Sequence, residues 1–108
     1  MSHPRVKEIE QFIKSKPVAI FMKGSPQFPQ CGFSAHAIEC LKAAGVKDAD
    51  LASFDILSDP EMRNLVKEFS SWPTYPQIYV HGKFVGGCDV VSDLHERGEL
   101  KDLVKKGE

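Results

Sequence analysis

The residue best placed to do chemistry in this sequence is Cys31. It follows the proline-containing stretch Gly24-Ser25-Pro26-Gln27-Phe28-Pro29-Gln30 and precedes a run with helical spacing. At that position the unpaired amides and the positive end of a helix dipole favour thiolate over thiol, and thiolate is the form that attacks disulfides or ligates iron. The ordinary alternative is a buried, inert cysteine; Gly32 beside it and the polar loop before it speak against burial. Cys31, Cys40 and Cys88 are an odd number without CxxC spacing. That pattern argues against a disulfide scaffold and a one-chain zinc finger, and for a reducing compartment. Cys40, among Ala37, Leu41 and Ala44, reads as core filler, and Trp72 as packing. His3, His36, His81 and His95 are scattered without ligand spacing and are assigned no metal.

The elements that must position Cys31 follow from periodicity. Val6, Ile9, Phe12 and Ile13 recur at helical spacing until Lys16-Pro17, after which the apolar run Val18–Met22 reads as a buried strand. Residues 23–30 form a loop, and Phe33, Ala37, Ile38, Leu41 and Ala44 mark one face of a helix that Gly45 ends. Residues 51–57 read as a second strand. Ser58-Asp59-Pro60-Glu61 then joins a cap, an early proline and a first-turn acid ahead of Met62, Leu65, Val66 and Phe69. The two prolines of Trp72-Pro73-Thr74-Tyr75-Pro76 make a rigid connector into a strand. His81-Gly82, between residues 77–80 and 83–85, is a hairpin signal. Gly86-Gly87-Cys88-Asp89 leads into a helix over Val90, Val91 and Leu94 with Gly98 as its stop, and Leu100, Leu103 and Val104 suggest one last short helix. Gly86-Gly87 either admits close approach of a ligand or backbone, or makes a bulge.

The 108 residues, 42% hydrophobic, suffice for a single domain over 1–108, with one mixed sheet between helices. A formal net charge of -1 points to neither nucleic acid nor an anionic membrane as partner. The longest apolar runs fall far short of a membrane span. No signal-peptide pattern opens the chain, and Met1-Ser2-His3-Pro4 leaves targeting open.

Cys31-Gly32-Phe33-Ser34 resembles the CGFS signature of monothiol glutaredoxins. Lys23-Gly24-Ser25-Pro26, Trp72-Pro73-Thr74-Tyr75-Pro76 and Gly86-Gly87-Cys88-Asp89 resemble further motifs of that family, in the same order. The resemblance implies an α/β, thioredoxin-like fold with a four-stranded mixed sheet flanked by helices. Dithiol relatives carry a second cysteine where this chain has Ser34, so two-cysteine disulfide reduction is disfavoured. The seven residues between Lys23 and Cys31 make a longer loop than the dithiol family has. In the resemblance this goes with poor oxidoreductase activity and a different placement of glutathione.

Glutathione has two carboxylates and an extended backbone, so its site needs cations, a chain edge and a helix N-terminus. The resemblance implies that Lys23, Cys31, Phe33, Arg63, Thr74, Tyr75, Pro76, Cys88 and Asp89 form it. Lys23 would lie beside the thiols and a carboxylate, and Arg63 would bind the glycyl carboxylate. Thr74-Tyr75 would offer backbone, and Cys88-Asp89 would take the γ-glutamyl end. The plain alternatives are solvated surface for Lys23 and Arg63 and an ordinary N-cap for Asp89. By resemblance Pro76 is a cis-proline; local rules equally allow a trans proline at a strand start. A Cys31–Cys88 disulfide, as in some relatives, is left open.

A [2Fe–2S] cluster wants four thiolates, and one chain offers one well-placed candidate. The resemblance implies a cluster shared between two subunits, with Cys31 as the only protein ligand and glutathione thiols supplying the rest, in a homodimer that carries clusters to iron–sulfur assembly proteins. The second hypothesis is reduction of protein–glutathione mixed disulfides through Cys31 alone. A third is an interaction module that shares its cluster with a BolA-like protein. The expected location is the mitochondrial matrix, with the cytoplasm as alternative.

Overall fold

A computed structural model describes residues 3–106; Met1-Ser2, part of the targeting question, lies outside the described residues. The chain order is α1 (Val6–Lys14), β1 (Val18–Met22), α2 (Gly32–Ala43), β2 (Leu51–Asp55), α3 (Pro60–Ser70), β3 (Gln77–Val80), β4 (Lys83–Gly86), α4 (Cys88–Glu96) and α5 (Leu100–Lys106). The four strands form one sheet in the order β2-β1-β3-β4, parallel between β1 and β2 and antiparallel elsewhere. This is the expected thioredoxin-like arrangement.

β1 is buried along its whole length and divides the core between the two faces of the sheet. Because side chains alternate along a strand, Val18, Ile20 and Met22 pack with Ala37, Ile38 and Leu41 of α2 and Val91 of α4. Ala19 and Phe21 pack on the other face with Ile9 and Ile13 of α1 and Met62, Leu65 and Val66 of α3. The C-terminal end of β1 and the N-termini of α2 and α4 then converge around the loop that carries Cys31.

Local chemistry sets the boundaries. α3 begins as its sequence indicates: Pro60 opens the helix and the Asp59 carboxylate accepts from Met62 N–H at 3.1 Å. α2 ends on Gly45 at φ +91°, with Val46 N–H bonded to Leu41 C=O and Gly45 N–H to Lys42 C=O. The hairpin turn places both His81 and Gly82 at positive φ, the geometry that two-residue turns require.

Two expectations are corrected and one alternative is excluded. The second strand stops at Asp55 rather than residue 57, because the Asp55 carboxylate accepts from Leu57 N–H at 2.9 Å and winds Ile56–Ser58 into a 3-10 turn. Phe33 does not join the apolar face of α2. It sits in the first turn and is 67% exposed, while Ser34 takes the buried place below Ile38 and Leu41. Asp89 is not the cap of α4: Gly87 is, and it offers no side-chain hydrogen bond.

Candidate functional site

Cys31 is the N-cap of α2, in extended conformation, as the loop-to-helix reading requires. Its Sγ lies 3.3 Å from Ser34 Oγ and accepts from Ser34 N–H at 3.3 Å. Partial burial pushes the thiol's pKa up, but hydrogen bonding from the Ser34 hydroxyl, the Ser34 amide and the Phe33 amide, with the Lys23 charge, outweighs it and leaves the pKa below its ordinary value. Burial pushes Cys40 and Cys88 the other way. Among the three cysteines, only Cys31 is biased toward thiolate.

The loop before Cys31 is held at both ends. The Gly24 N–H donates to Asp55 at 3.0 Å, Gln30 N–H donates to Lys23 C=O at 2.8 Å, and Ser25 and Phe28 exchange backbone hydrogen bonds. Gly24 has φ +88°, and a Cβ there would come within 2.5 Å of Phe28 O, so only glycine fits. This loop fixes Lys23, whose own N–H donates to Ser34 Oγ at 3.2 Å. One hydroxyl therefore touches both the thiol and the backbone of the neighbouring cation.

Beside the thiol opens a cavity of about 430 Å³. Lys23, Phe33, Arg63, Thr74, Tyr75, Pro76, Cys88 and Asp89 all line it, together with Lys67, Trp72, Pro73 and Gly87. Cys31 itself is not a lining residue; it stands two positions from Phe33, with its charge felt by Lys23 and Cys88. The structure thus gathers the residues the sequence pointed to. Its volume lies in the usual range for a small-molecule site.

Lys23, Arg63 and Lys67 supply three cations to the wall of the cavity. α4 starts on Gly87 without a side-chain cap, so the amides of its first turn are left for a ligand, beside the Asp89 carboxylate. The connector 72–76 lines the same cavity. The Tyr75-Pro76 bond is cis, and neither the N–H nor the C=O of Tyr75 has a backbone partner among the described residues. Three cations, an uncapped helix start, a carboxylate and a stretch of unpaired backbone can together take a ligand that carries carboxylates, an ammonium and peptide groups.

The sequence reading missed several supports. Lys67 lies one turn beyond Arg63 on α3, and an i, i+4 cation pair at Arg63 was the available signal. Gln77, fully buried, donates to the carbonyls of Trp72 and Thr74 at 3.0 and 3.3 Å and braces the connector from below. The Tyr75 hydroxyl donates to Arg63 C=O at 2.6 Å, tying the connector to α3. Gly87 lies close against the connector, since a Cβ there would meet Pro76 O and Trp72 Nε1 at 3.3 Å, tighter than ordinary contact. It therefore admits close approach to the connector, and a register shift in the β3–β4 pairing lies just before it at Ile78/Tyr79, so both readings of the glycine pair have a counterpart.

The glutaredoxin family model matches residues 18–85. The chain belongs to the glutaredoxin family. Over 102 residues it is 50% identical to the mitochondrial monothiol glutaredoxin-5 of Saccharomyces cerevisiae, covering 94% of this chain and 68% of that protein. It is 43% identical to glutaredoxin 4 of Escherichia coli over 101 residues, 94% of this chain and 85% of that one. The solution structure of reduced poplar apo GrxS14 superposes with a TM-score of 0.79 at 40% identity, covering 93% of this chain and 89% of the other. With Ser34 in the place of a second active-site cysteine, this glutaredoxin is of the monothiol type. No helix among the described residues is long and apolar enough to cross a membrane.

Proposed function

We propose that this glutaredoxin binds glutathione in the cavity beside Cys31 and, as a homodimer, carries a [2Fe–2S] cluster as cargo for iron–sulfur protein maturation. The observation that carries this reading is one activated thiol beside a cavity lined by three cations and an uncapped helix start. Among the described residues no group of three or more His, Cys, Asp or Glu side chains is gathered to hold a metal. The resemblance to monothiol glutaredoxins implies that Cys31 of each copy and two glutathione thiols supply the four thiolates of the cluster.

Bound glutathione supplies an exchangeable thiolate. The residues of the chain do the rest. Lys23, Arg63 and Lys67 hold the glycyl carboxylate and offset the negative charge that thiolates bring together. The Tyr75 backbone pairs with the cysteinyl part, and Asp89 with the α4 amides holds the γ-glutamyl end. Ser34 and Lys23 bias Cys31 toward the thiolate that ligation uses. Ser34 cannot displace glutathione by forming a disulfide, so the non-protein ligand stays free to leave when the cluster is passed on. Recipients are iron–sulfur assembly proteins, with a BolA-like protein as a further partner. The mitochondrial matrix is the proposed location, supported by the location in the name of the yeast relative; the cytoplasm is the alternative.

The same activated thiol favours a second reading, reduction of protein–glutathione mixed disulfides. Cys31 attacks the glutathionyl sulfur, the protein leaves as a thiolate, and a second glutathione then releases Cys31 as oxidised glutathione forms. Anaerobic reconstitution with iron, sulfide and glutathione separates the two. A coloured dimer that needs both glutathione and Cys31 supports the carrier; a colourless monomer that turns over glutathionylated protein supports the enzyme.

A further inference from the structure

Tyr75 serves two parts of the molecule at once. Its backbone N–H and C=O have no backbone partner among the described residues, and it forms part of the cavity wall. Its side chain is buried and packs in the core cluster that holds Met62, Leu65 and Val66 of α3. The hydroxyl donates to Arg63 C=O at 2.6 Å, twelve positions back in the chain. A buried phenol needs an acceptor, and many acceptors would do no more than satisfy it. This one belongs to the turn of α3 that carries Arg63 and Lys67, two cations of the cavity wall at i and i+4. In α-helix geometry the Arg63 carbonyl is also the one that faces the Lys67 amide. The hydroxyl therefore grips the turn that bears both cations.

We infer that Tyr75 is a positioning residue whose hydroxyl sets the span between the backbone that takes the peptide part of a ligand and the cations that take its terminal carboxylate. It thereby gives the site its selectivity for peptide thiols that end in a free carboxylate. This role presupposes glutathione in the cavity, as proposed above. Lys and Arg side chains carry much rotamer freedom, and a cation that roams loses more of it on binding. Fixing the backbone turn that the two share narrows the volume their heads search. The connector is anchored on its other side as well, where buried Gln77 at the start of β3 donates to the carbonyls of Trp72 and Thr74. Gln77 thus holds the connector to the sheet, and the Tyr75 hydroxyl holds it to α3. Burial pushes the phenol's pKa up, aided by Tyr79 and opposed by the Arg63 charge, so the group remains a donor at neutral pH.

The test titrates the isotope-labelled full chain and its Tyr75→Phe variant with two ligands, following backbone amide shifts by NMR. One ligand is reduced glutathione; the other is its glycine monoethyl ester, which keeps the peptide and loses the terminal charge. Phenylalanine keeps the ring in its cluster, and the Arg63 carbonyl keeps its place in α3, so the variant folds. The parent is expected to bind glutathione about tenfold more tightly than the ester, the lower end for a hydrogen bond to a charged group. In Tyr75→Phe that ratio should fall to about threefold or less, while affinity for the ester changes less than about twofold. A general loosening of the fold would weaken both ligands together and leave the ratio where it was. An unchanged ratio in Tyr75→Phe therefore overturns the role, as does a parent that binds both ligands equally. A parent that binds neither ligand overturns the glutathione reading itself, and this role with it.

Discussion

Ser34→Ala tests the activation of Cys31 at its structural source. The hydroxyl lies 3.3 Å from the sulfur in a residue with no exposed surface, and the amide of the same residue gives a second hydrogen bond that survives the substitution. A hydrogen bond to a charged group contributes about 1.5–3 kcal/mol, and the diffuse charge of sulfur and the partial exposure of Cys31 place this one at the lower end. A loss of about 1.4 kcal/mol leaves roughly one tenth of the thiolate at a pH below the titration. The sign is fixed: removing a donor to the charged form moves the titration to higher pH. The assay is the rate of iodoacetamide alkylation against pH with Cys40→Ser and Cys88→Ser in both proteins. The expected result is an about three- to fourfold slower reaction at pH values below the titration, the tenfold loss of thiolate being partly offset because a less acidic thiol is the better nucleophile, and a plateau at high pH above the parent's. Superposable profiles would refute the reasoning. The variant also leaves Lys23 N–H without its acceptor, so a stability loss of about 1–3 kcal/mol accompanies the shift.

Arg63→Ala and Lys67→Ala are each expected to lower glutathione affinity about tenfold, the lower end for a partly exposed charge-assisted contact, as read from the fluorescence of Trp72, the single tryptophan and a wall of the cavity. Unchanged affinity in both would remove the carboxylate from these cations. Gly24→Ala is expected to lower stability in urea by about 2–3 kcal/mol, combining the left-handed backbone with a Cβ pressed against Phe28 O; an unchanged midpoint contradicts the loop geometry. Arg5 holds the Asp59 carboxyl below the usual carboxylate range through a bidentate pair at 3.0 and 2.8 Å. A depressed folded pKa gives stability that is present above the unfolded value and lost as the pH falls through the folded one. The gap in Tm between the parent and Arg5→Ala should therefore be widest near neutrality and close in acid; a gap independent of pH counts against the pair.

The order of elements was legible because each carried its own punctuation: Pro17 before β1, Pro60 at the start of α3, His81-Gly82 in the hairpin. Boundaries set by side chains reaching across the fold were not. Asp55 ends β2 by turning its carboxylate to both Leu57 and Gly24, and the contact to Gly24 spans 31 positions. β1 is apolar at every position, so its sequence could not assign Val18 and Ile20 to the α2 side and Ala19 and Phe21 to the other. In the site, charged and cysteine residues stood out by type, whereas Gln77 and the Tyr75 hydroxyl act on carbonyl groups, which leave no trace in the sequence.

The carrier account is tested most directly by counting. After anaerobic reconstitution and gel filtration in glutathione-free buffer, the coloured fraction is analysed for iron, sulfide, glutathione and protein. The account predicts two irons, two sulfides and two glutathiones for every two chains, with Cys31→Ser retaining none of them. A coloured dimer without stoichiometric glutathione, or one formed by Cys31→Ser, would contradict it.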